Sequence, residues 1–243
     1  MTTMEFRKAR MQATKAAAVE YRGTPFVGTE IREMPDGTGG TKLTFTGYAS
    51  ITEAPYELSD KFGRFEETIA RNAFRRTLST SPDINFLANH EGISLSRTRA
   101  GTLKLAEDAT GLHVEAKLDP KRPDVQTIRS AIENRELDEM SFSFMVDPGG
   151  DHWNDDGTKR RITSVNMDRG ADVSVVNFGA SAWTGGKVDL RRLGWSDPAK
   201  VTSRLLSAGV RPPRPSPVAK PRPQRQTLSY YQAYIRMLRL RGK

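Results

Sequence analysis

The sequence of 243 residues contains no cysteine. Disulfide bonds, a thiolate nucleophile and thiolate metal sites are therefore excluded, and a cytosolic protein is compatible with this composition. Histidine is scarce as well, since only His90, His113 and His152 occur. Any chemistry that needs an imidazole must use one of these three. They have no ligand spacing typical of a metal site, so no metal or other cofactor is expected.

Long hydrophobic runs are also missing. No stretch approaches the roughly 18 apolar residues of a membrane-spanning helix, and residues 1–8 lack the apolar core of a signal peptide. We therefore expect no association with a membrane. The hydrophobic content of 36% over 243 residues is nevertheless enough for one domain of ordinary size with appendages.

Positive charge is concentrated at one end of the chain. Residues 191–243 contain 13 Lys and Arg against one acid, Asp197, so they carry +12, while residues 1–190 carry −3. Six of the residues 211–223 are proline, which predicts an extended linker. Such a tail suits an acidic protein surface or nucleic acid, or it is simply solvated. Because interleaved aromatic residues are lacking in a basic body, nucleic acid is not the expected partner.

The body of the chain has the pattern of a mainly β protein with α-helices. The expected division is a flexible N-terminal arm (1–22), one domain (23–190) and a basic, Pro-rich tail (191–243). Two segments with helical spacing, 68–78 and 123–135, interrupt the strands, which favours a closed or half-closed β-barrel flanked by helices. The predicted strands are 25–32, 42–50, 84–88, 102–105, 112–118, 140–146, 161–166 and 171–178.

Three short segments place groups suited to acyl transfer beside predicted strands. His90 follows an apolar run and precedes Glu91-Gly92, so its side chain can face a cleft. Ser141 and Ser143 alternate with two phenylalanines and therefore share one face of a strand. Asp172 begins an apolar strand. A serine hydroxyl becomes an effective nucleophile when a positioned base takes its proton and a third group holds that base.

Several roles in this chemistry have more than one candidate. The third group is Asp172, with His113 and His152 as alternatives. Each candidate taken alone is more often a structural residue than a catalytic one. An oxyanion donor is needed as well, and the sequence offers three suppliers: Arg160-Arg161, the amides near Gly149-Gly150, and Arg169-Gly170.

The order of these motifs resembles that of the prohead (capsid maturation) serine proteases of tailed bacteriophages. That family is similar in fold to the herpesvirus assembly proteases. The match runs from about residue 43 to residue 182, and each motif is short, but their order and spacing together are fairly specific. The motifs are Gly47-Tyr48-Ala49, Phe65-Glu66-Glu67, Asn72-Ala73-Phe74, Asn89-His90-Glu91, the hairpin at 111–114, the segment 137–144, and 172–176.

The resemblance implies a role for each candidate residue. It makes His90 the general base, Ser141 the nucleophile and Asp172 the third member. The family usually has Gly two residues after the nucleophile, where this chain has Ser143, so Ser143 stays an alternative nucleophile. The last motif usually continues as Pro-Ala-Asn, whereas here residues 178–181 are Phe-Gly-Ala-Ser. The herpesvirus relatives use a second histidine as the third member.

The resemblance also implies a biological role. The chain would be a serine endopeptidase that cleaves scaffold or the capsid protein's extension, and also itself, inside the immature capsid in the host cytoplasm. Its partners would be the capsid protein and scaffold, with a homo-oligomer left open. The alternative is a non-catalytic, capsid-associated scaffold protein. The distance between Ser141 Oγ and the nearer His90 nitrogen discriminates between them, since beyond about 6 Å the enzymatic interpretation weakens.

Overall fold

A computed structural model of the chain describes Glu5 and residues 19–35, 37, 40–60, 63–168, 170–177 and 187–188. The chain divides into two units, Met1–Pro213 and Arg214–Lys243, and every described residue lies in the first. The predicted tail and most of the predicted arm therefore lie outside the described residues. Glu20, Tyr21 and Arg22, which the sequence assigned to the arm, belong to the first strand.

The described residues are mainly β, as the sequence predicts. No helix among them is long and apolar enough to cross a membrane. The helices are α1 (Arg75–Ser79) and α2 (Pro123–Glu133). The strands are β1 (Glu20–Pro25), β2 (Glu30–Pro35), β3 (Thr41–Ile51), β4 (Pro55–Asp60), β5 (Gly63–Ile69), β6 (Asn85–Ala88), β7 (Glu91–Arg97), β8 (Leu103–Glu107), β9 (Gly111–Leu118), β10 (Glu139–Val146), β11 (Asp151–Trp153), β12 (Lys159–Ile162), β13 (Val165–Asn166), β14 (Asp172–Val176) and β15 (Lys187–Val188).

The strands form two sheets. The larger has the order β11-β12-β5-β4-β15-β1-β10-β14-β6-β7, with β13 also paired to β10, and the smaller has the order β2-β3-β9-β8. Strand β10 is antiparallel to both β1 and β14, and β14 is parallel to β6. Ser141 of β10 therefore lies opposite Ser174 of β14, and the end of β6 lies beside the end of β14.

The alternation of β10 separates a core face from a polar face. Phe142 and Phe144 are almost fully buried and stack with ring centroids 4.9 Å apart, and Phe142 also contacts Phe74 at 5.5 Å. Burying a phenylalanine contributes about 1.5–3 kcal/mol, so the core side of β10 is strongly specified. Because successive side chains point to opposite faces, Ser141 and Ser143 must then share the other face.

Three predicted elements are wrong in extent. The predicted strand 25–32 is interrupted between β1 and β2, where Gly28 adopts the left-handed φ of 59°. The predicted helix 68–78 begins as strand β5 and becomes helical only at α1, after Asn72 at φ 68°. The predicted strand 161–166 is two strands, because the N–H groups of Thr163 and Ser164 both donate to Gly150 O instead of a neighbouring strand.

Other elements follow their sequence signals. Helix α2 begins with Pro123 at its first turn and buries Val125 and Ile128, as its spacing predicts. Strands β8 and β9 are joined by a short turn in which Asp108 accepts from the N–H of Thr110. Strands β4, β5, β7 and β11 were not predicted. Strands β4 and β7 carry short apolar alternations, Tyr56/Leu58 and Ile93/Leu95, that the sequence analysis missed, whereas β5 and β11 are mostly polar.

Gly111 has a specific packing role at the start of β9. A Cβ atom at this position would lie 1.9 Å from Ser50 O. This close approach occurs where the β3–β9 register is irregular, between Tyr48 and Ser50. The glycine of the Gly-Leu-His-Val motif is therefore required by the contact between two backbones.

Candidate active site

His90 lies in a two-residue hairpin turn between β6 and β7. Ala88 pairs with Glu91, and Asn89 and His90 both have positive φ, 52° and 61°. This is the pattern of a type I′ turn, in which glycine is the preferred second residue. Holding a side chain there costs about 1 kcal/mol or more, and such strain is concentrated at functional sites. The turn presents the imidazole beyond the end of β6.

Asn89 holds this turn against β14. Its backbone N–H donates to Val175 O at 2.9 Å. Its side-chain amide donates to Asn177 Oδ1 at 2.8 Å and accepts from Asn177 N–H at 3.0 Å. The hairpin is therefore fixed over the end of the strand that begins with Asp172.

Ser141, His90 and Asp172 form a continuous chain of hydrogen bonds. His90 Nε2 lies 2.8 Å from Ser141 Oγ, and His90 Nδ1 lies 2.6 Å from Asp172 Oδ1. Because a carboxylate only accepts, Nδ1 carries a proton, and in the neutral imidazole Nε2 accepts from the serine hydroxyl. The structure thus brings together the three residues chosen from the sequence.

The other two histidines lie on different strands. His113 is on β9 of the smaller sheet, where its ring contacts Tyr48 at 5.2 Å, and burial lowers its pKa. His152 is exposed on β11, at the far end of the larger sheet from β6. Neither hydrogen-bonds to His90 among the residues that the structure describes.

Asp172 is held by two further serines. It is 5% exposed, and it accepts from Ser174 Oγ at 2.5 Å and from Ser143 Oγ at 2.7 Å in addition to His90. Burial by itself would raise the pKa of Asp172. The hydrogen bond and charge of His90, followed by the bonds from the two serines, outweigh burial and hold that pKa below 3.8. Asp172 is therefore a carboxylate throughout the neutral range.

Ser143 and Ser174 also position the backbone around this carboxylate. Ser143 Oγ accepts from Asp172 N–H at 2.8 Å, and Ser174 Oγ accepts from His90 N–H at 3.3 Å. We refer to His90, Ser141, Ser143, Asp172 and Ser174 as the hydroxyl network. Sequence reasoning considered Ser143 only as an alternative nucleophile and did not consider Ser174. The signal was present, because both serines lie two residues from a chosen site residue on the same strand face.

Ser141 is fully buried, and its hydroxyl meets a second acceptor. Its Oγ lies 3.1 Å from Arg22 O on β1, and Gly23 is the residue opposite Ser141 in the strand pair. A hydroxyl has one hydrogen, so it donates either to Nε2 or to this carbonyl. When the imidazole carries both protons, the hydroxyl accepts from Nε2–H and donates to Arg22 O.

On its core face β1 contributes to a group of buried charges, which we call the ion cluster: Glu20, Arg22, Glu67, Asp151 and Arg160. Glu67 accepts from Arg22 Nε at 2.6 Å and from Arg160 Nη1 at 3.0 Å. Arg160 also pairs with Asp151 at 2.8 Å. Burial alone would lower the pKa of Arg22, but Glu67 and Glu20 raise it above the ordinary arginine value. The cluster therefore holds β1 to β5, β11 and β12 through full charges.

Most of the expected oxyanion donors are engaged elsewhere. Arg160 belongs to the ion cluster, and Arg161 pairs with Glu53 at the surface. The N–H of Gly150 donates to Asp147 O within its own turn. Gly170 lines a cavity beside His90, and its neighbour Arg169 lies outside the described residues.

That cavity has a volume of about 210 Å³. Its walls include Leu87, Met145 and Tyr21, whose ring is T-shaped against the His90 ring with the centroids 4.7 Å apart. Asn166 and Asp168 supply polar groups. Within the described part of the chain, no group of three or more His, Asp and Glu residues could hold a metal ion. The arrangement offers a hydroxyl, a base and an orienting carboxylate beside a cavity, which is the equipment of nucleophilic acyl transfer.

Comparison with known proteins agrees with this chemistry. The family model of the caudovirus prohead serine protease matches residues 29–194. No curated protein matches the chain. Among solved structures, the bacteriophage T4 capsid assembly protease, gp21, matches with a TM-score of 0.39 and 9% identity, over 65% of this chain and 96% of that chain. At that TM-score the assignment rests on the family match, which spans more than half of the sequence. The chain belongs to the caudovirus prohead serine protease family.

Proposed function

We propose that this capsid maturation protease uses Ser141 as its nucleophile, His90 as its general base and Asp172 to orient that base. One observation carries the proposal: the unbroken chain of hydrogen bonds from Ser141 Oγ through the imidazole to the carboxylate, at 2.8 and 2.6 Å. Both distances are within hydrogen-bond reach of a competent base.

The proposed reaction is acyl transfer in two steps. His90 Nε2 takes the Ser141 proton while Oγ bonds to the carbonyl carbon of the scissile peptide. The imidazolium then gives this proton to the leaving amine as the C–N bond breaks, which leaves an acyl-enzyme. In the second step His90 takes a proton from water while the water oxygen bonds to the ester carbonyl carbon. The bond between that carbon and Ser141 Oγ then breaks, the carboxylic acid product leaves, and the proton on His90 passes to Oγ. Asp172 stabilises the imidazolium in both steps.

Ser143 and Ser174 would support Asp172 rather than react. The Ser143 hydroxyl donates to Asp172 Oδ2 and accepts from Asp172 N–H, so both of its hydrogen-bonding roles are directed at Asp172. Ser141 is the serine in contact with the base, which favours it over Ser143 as the nucleophile. The distance between His90 Nε2 and Ser141 Oγ is 2.8 Å, well below the value of about 6 Å beyond which an enzyme becomes the weaker interpretation. It therefore favours an enzyme over a non-catalytic scaffold protein.

The proposal extends to substrates and setting. The substrates would be scaffold, the capsid protein's extension and the enzyme itself, cut inside the immature capsid in the host cytoplasm. A closed or half-closed barrel flanked by helices, like that of the herpesvirus assembly proteases, remains part of the proposal. So does the division into an arm, a protease domain and a tail (191–243), with the boundary between arm and domain moved to the start of β1 at Glu20. The close approach of β10 and β1 to β3 of the smaller sheet supports the barrel.

The test compares the intact masses of the wild-type chain, Ser141→Ala and Ser143→Ala after expression and incubation. We expect shortening of the wild type, none in Ser141→Ala, and slower shortening in Ser143→Ala. His90→Ala should also stay intact, with partial recovery when imidazole is added. Equal shortening of wild type and Ser141→Ala would rule out Ser141. If no variant shortens, co-expression with the capsid protein decides whether assembly is required, and absence of cleavage there would contradict the proposal.

A further inference from the structure

The cavity beside His90 has a composition that suits one class of substrate side chain. We infer that it receives a lysine or arginine of the substrate and that Asp168 recognises the cation. This inference rests on the proposed function, because it names the substrate class of the same site.

The position of the cavity fits a side chain next to the scissile bond. Ser143 and Met145 line it, and they follow Ser141 on the same face of β10. At about 3.3 Å per strand residue, the cavity begins about 7 Å from the nucleophile. A substrate residue within two or three positions of the cut can therefore enter the cavity while its neighbouring carbonyl lies over Ser141.

The walls suit a long apolar stem. Tyr21, Leu87 and Met145 supply apolar surface from three different strands, β1, β6 and β10. Lysine and arginine carry three or four methylene groups before their charge and bury this stem along apolar surface when the charged end is satisfied. A short polar side chain would leave these walls without contact.

Asp168 supplies the charge that such an end requires. It is partly buried in the cavity wall, and its backbone N–H donates to Asn166 Oδ1 at 2.8 Å, which fixes its position. No ion pair joins Asp168 to another residue that the structure describes. Asp172, the other carboxylate of the cavity, already accepts three hydrogen bonds. Asp168 is therefore the carboxylate left to receive an incoming cation.

The chain itself contains a segment rich in the lysine and arginine side chains that the cavity would accept. Residues 191–243 hold 13 Lys and Arg against one acid, whereas residues 1–190 carry a net −3. Self-cleavage sites are thus expected beside basic residues of the tail.

The test is a peptide-library digestion. Four proteins are compared: the full chain, Asp168→Asn, Asp168→Lys and the control Asp155→Asn. Each is incubated with a synthetic peptide library in which every position varies over the common amino acids and norleucine. Mass spectrometry then identifies the cut sites. For the wild type we expect Lys and Arg to be enriched at one position within three residues of the cut. Losing one charge-assisted contact should reduce the preference for Lys over norleucine roughly 10- to 100-fold in Asp168→Asn. Asp168→Lys should shift the preference to Asp and Glu.

The control and the negative outcomes separate the two proposals. Asp155 is an exposed acid in the turn between β11 and β12, so Asp155→Asn removes the same charge away from the cavity and should keep the wild-type preference. Cleavage without basic enrichment, or with the same enrichment in Asp168→Asn, would overturn the role of Asp168 and leave the protease proposal intact.

If the wild type leaves the library uncut, the chain on its own does not have the proposed protease activity. The cavity is then tested by binding, with Nα-acetyl-lysine methylamide and its norleucine analogue titrated into Ser141→Ala and followed by NMR. Several-fold tighter binding of the lysine compound, lost in the Ser141→Ala/Asp168→Asn double variant, would support the inference. Equal binding of the two compounds would overturn it.

Discussion

Strand β1 contacts the hydroxyl network through Arg22 O and contributes Glu20 and Arg22 to the ion cluster, but the two groups are built in opposite ways. In the hydroxyl network a single carboxylate is surrounded by neutral hydroxyls and one imidazole. In the ion cluster three carboxylates and two guanidinium groups are paired directly. A hydroxyl can reverse its donor and acceptor roles by rotating, whereas an arginine has only donors. The hydroxyl network can therefore pass a proton along its hydrogen bonds, whereas the donors and acceptors of the ion cluster are fixed.

The comparison predicts where each group is sensitive. A change in the hydroxyl network should reduce activity more, and stability less, than a change in the ion cluster. A change in the ion cluster should do the reverse, because removing one partner of a buried pair leaves an uncompensated charge. Activity and unfolding therefore need to be measured on the same variants.

Asp172→Asn should give the largest effect. An amide at this position can donate to Nδ1, which would place the imidazole proton on Nε2 and prevent it from accepting the serine proton. We expect a fall in kcat of about 10⁴-fold, with the free energy of unfolding changed by no more than about 1–3 kcal/mol. Steady-state kinetics and urea unfolding measure the two quantities. An activity within tenfold of the wild type would show that Asp172 does not orient the base.

Glu67→Gln should affect stability instead. It removes the carboxylate shared by Arg22 and Arg160, and we expect a loss of about 3–5 kcal/mol in the free energy of unfolding. Glu53→Gln is the matched control, because it breaks an exposed pair with Arg161 and should cost no more than about 1 kcal/mol. Equal costs for the two variants would mean that the ion cluster contributes no more than a surface pair.

Ser174→Ala should have an intermediate effect that depends on pH. It removes one of the hydrogen bonds that lower the pKa of Asp172, so that pKa should rise toward 3.8. A carboxylate with a lowered pKa in the folded state stabilises the protein above its unfolded pKa and loses this contribution as pH falls through the folded pKa. The variant should be less stable than the wild type by about 1–3 kcal/mol at neutral pH.

Stability measurements at acid pH can contradict this prediction for Ser174→Ala. The stability difference between Ser174→Ala and the wild type should shrink as pH falls below 3.8, because Asp172 becomes protonated in both proteins. Unfolding followed by circular dichroism from pH 2 to pH 7 measures this difference. A constant difference over the whole range would show that Ser174 acts through packing and not through the charge of Asp172.

The smallest expected effect concerns the turn that carries the base. His90 has φ 61°, so His90→Gly should be more stable than His90→Ala by about 1 kcal/mol, although both lack the imidazole. Both variants should be inactive. Thermal unfolding of the pair measures the difference, and an alanine variant as stable as the glycine variant would mean that the turn relaxes without the histidine.

The residues of the site could be chosen from the sequence because each follows or begins a β-prone run. The alternation of serine and phenylalanine in β10 also predicted the buried and polar faces correctly. The two-residue hairpin at Asn89-His90 was not predicted, since the usual Asn-Gly signal is absent. The ion cluster was missed for a different reason. Its members are separated by up to 140 positions, and charge alone does not indicate burial.

If Asp172 orients His90 as proposed, the hydrogen bond between them also sets a time at which the enzyme can first act. The two residues are 82 positions apart, and β14 must pair with both β6 and β10 before the carboxylate reaches the imidazole. At roughly 5–20 residues per second, the ribosome needs about 4–16 s to add the residues between them. Ser141 is added 51 positions after His90 and 31 positions before Asp172. At the same rate, the nascent chain therefore carries both its serine and its histidine, without the carboxylate proposed to orient the base, only for about the last 2–6 s of that interval. Synthesis therefore delays proteolysis by the order of the residues along the chain, before any partner or inhibitor acts.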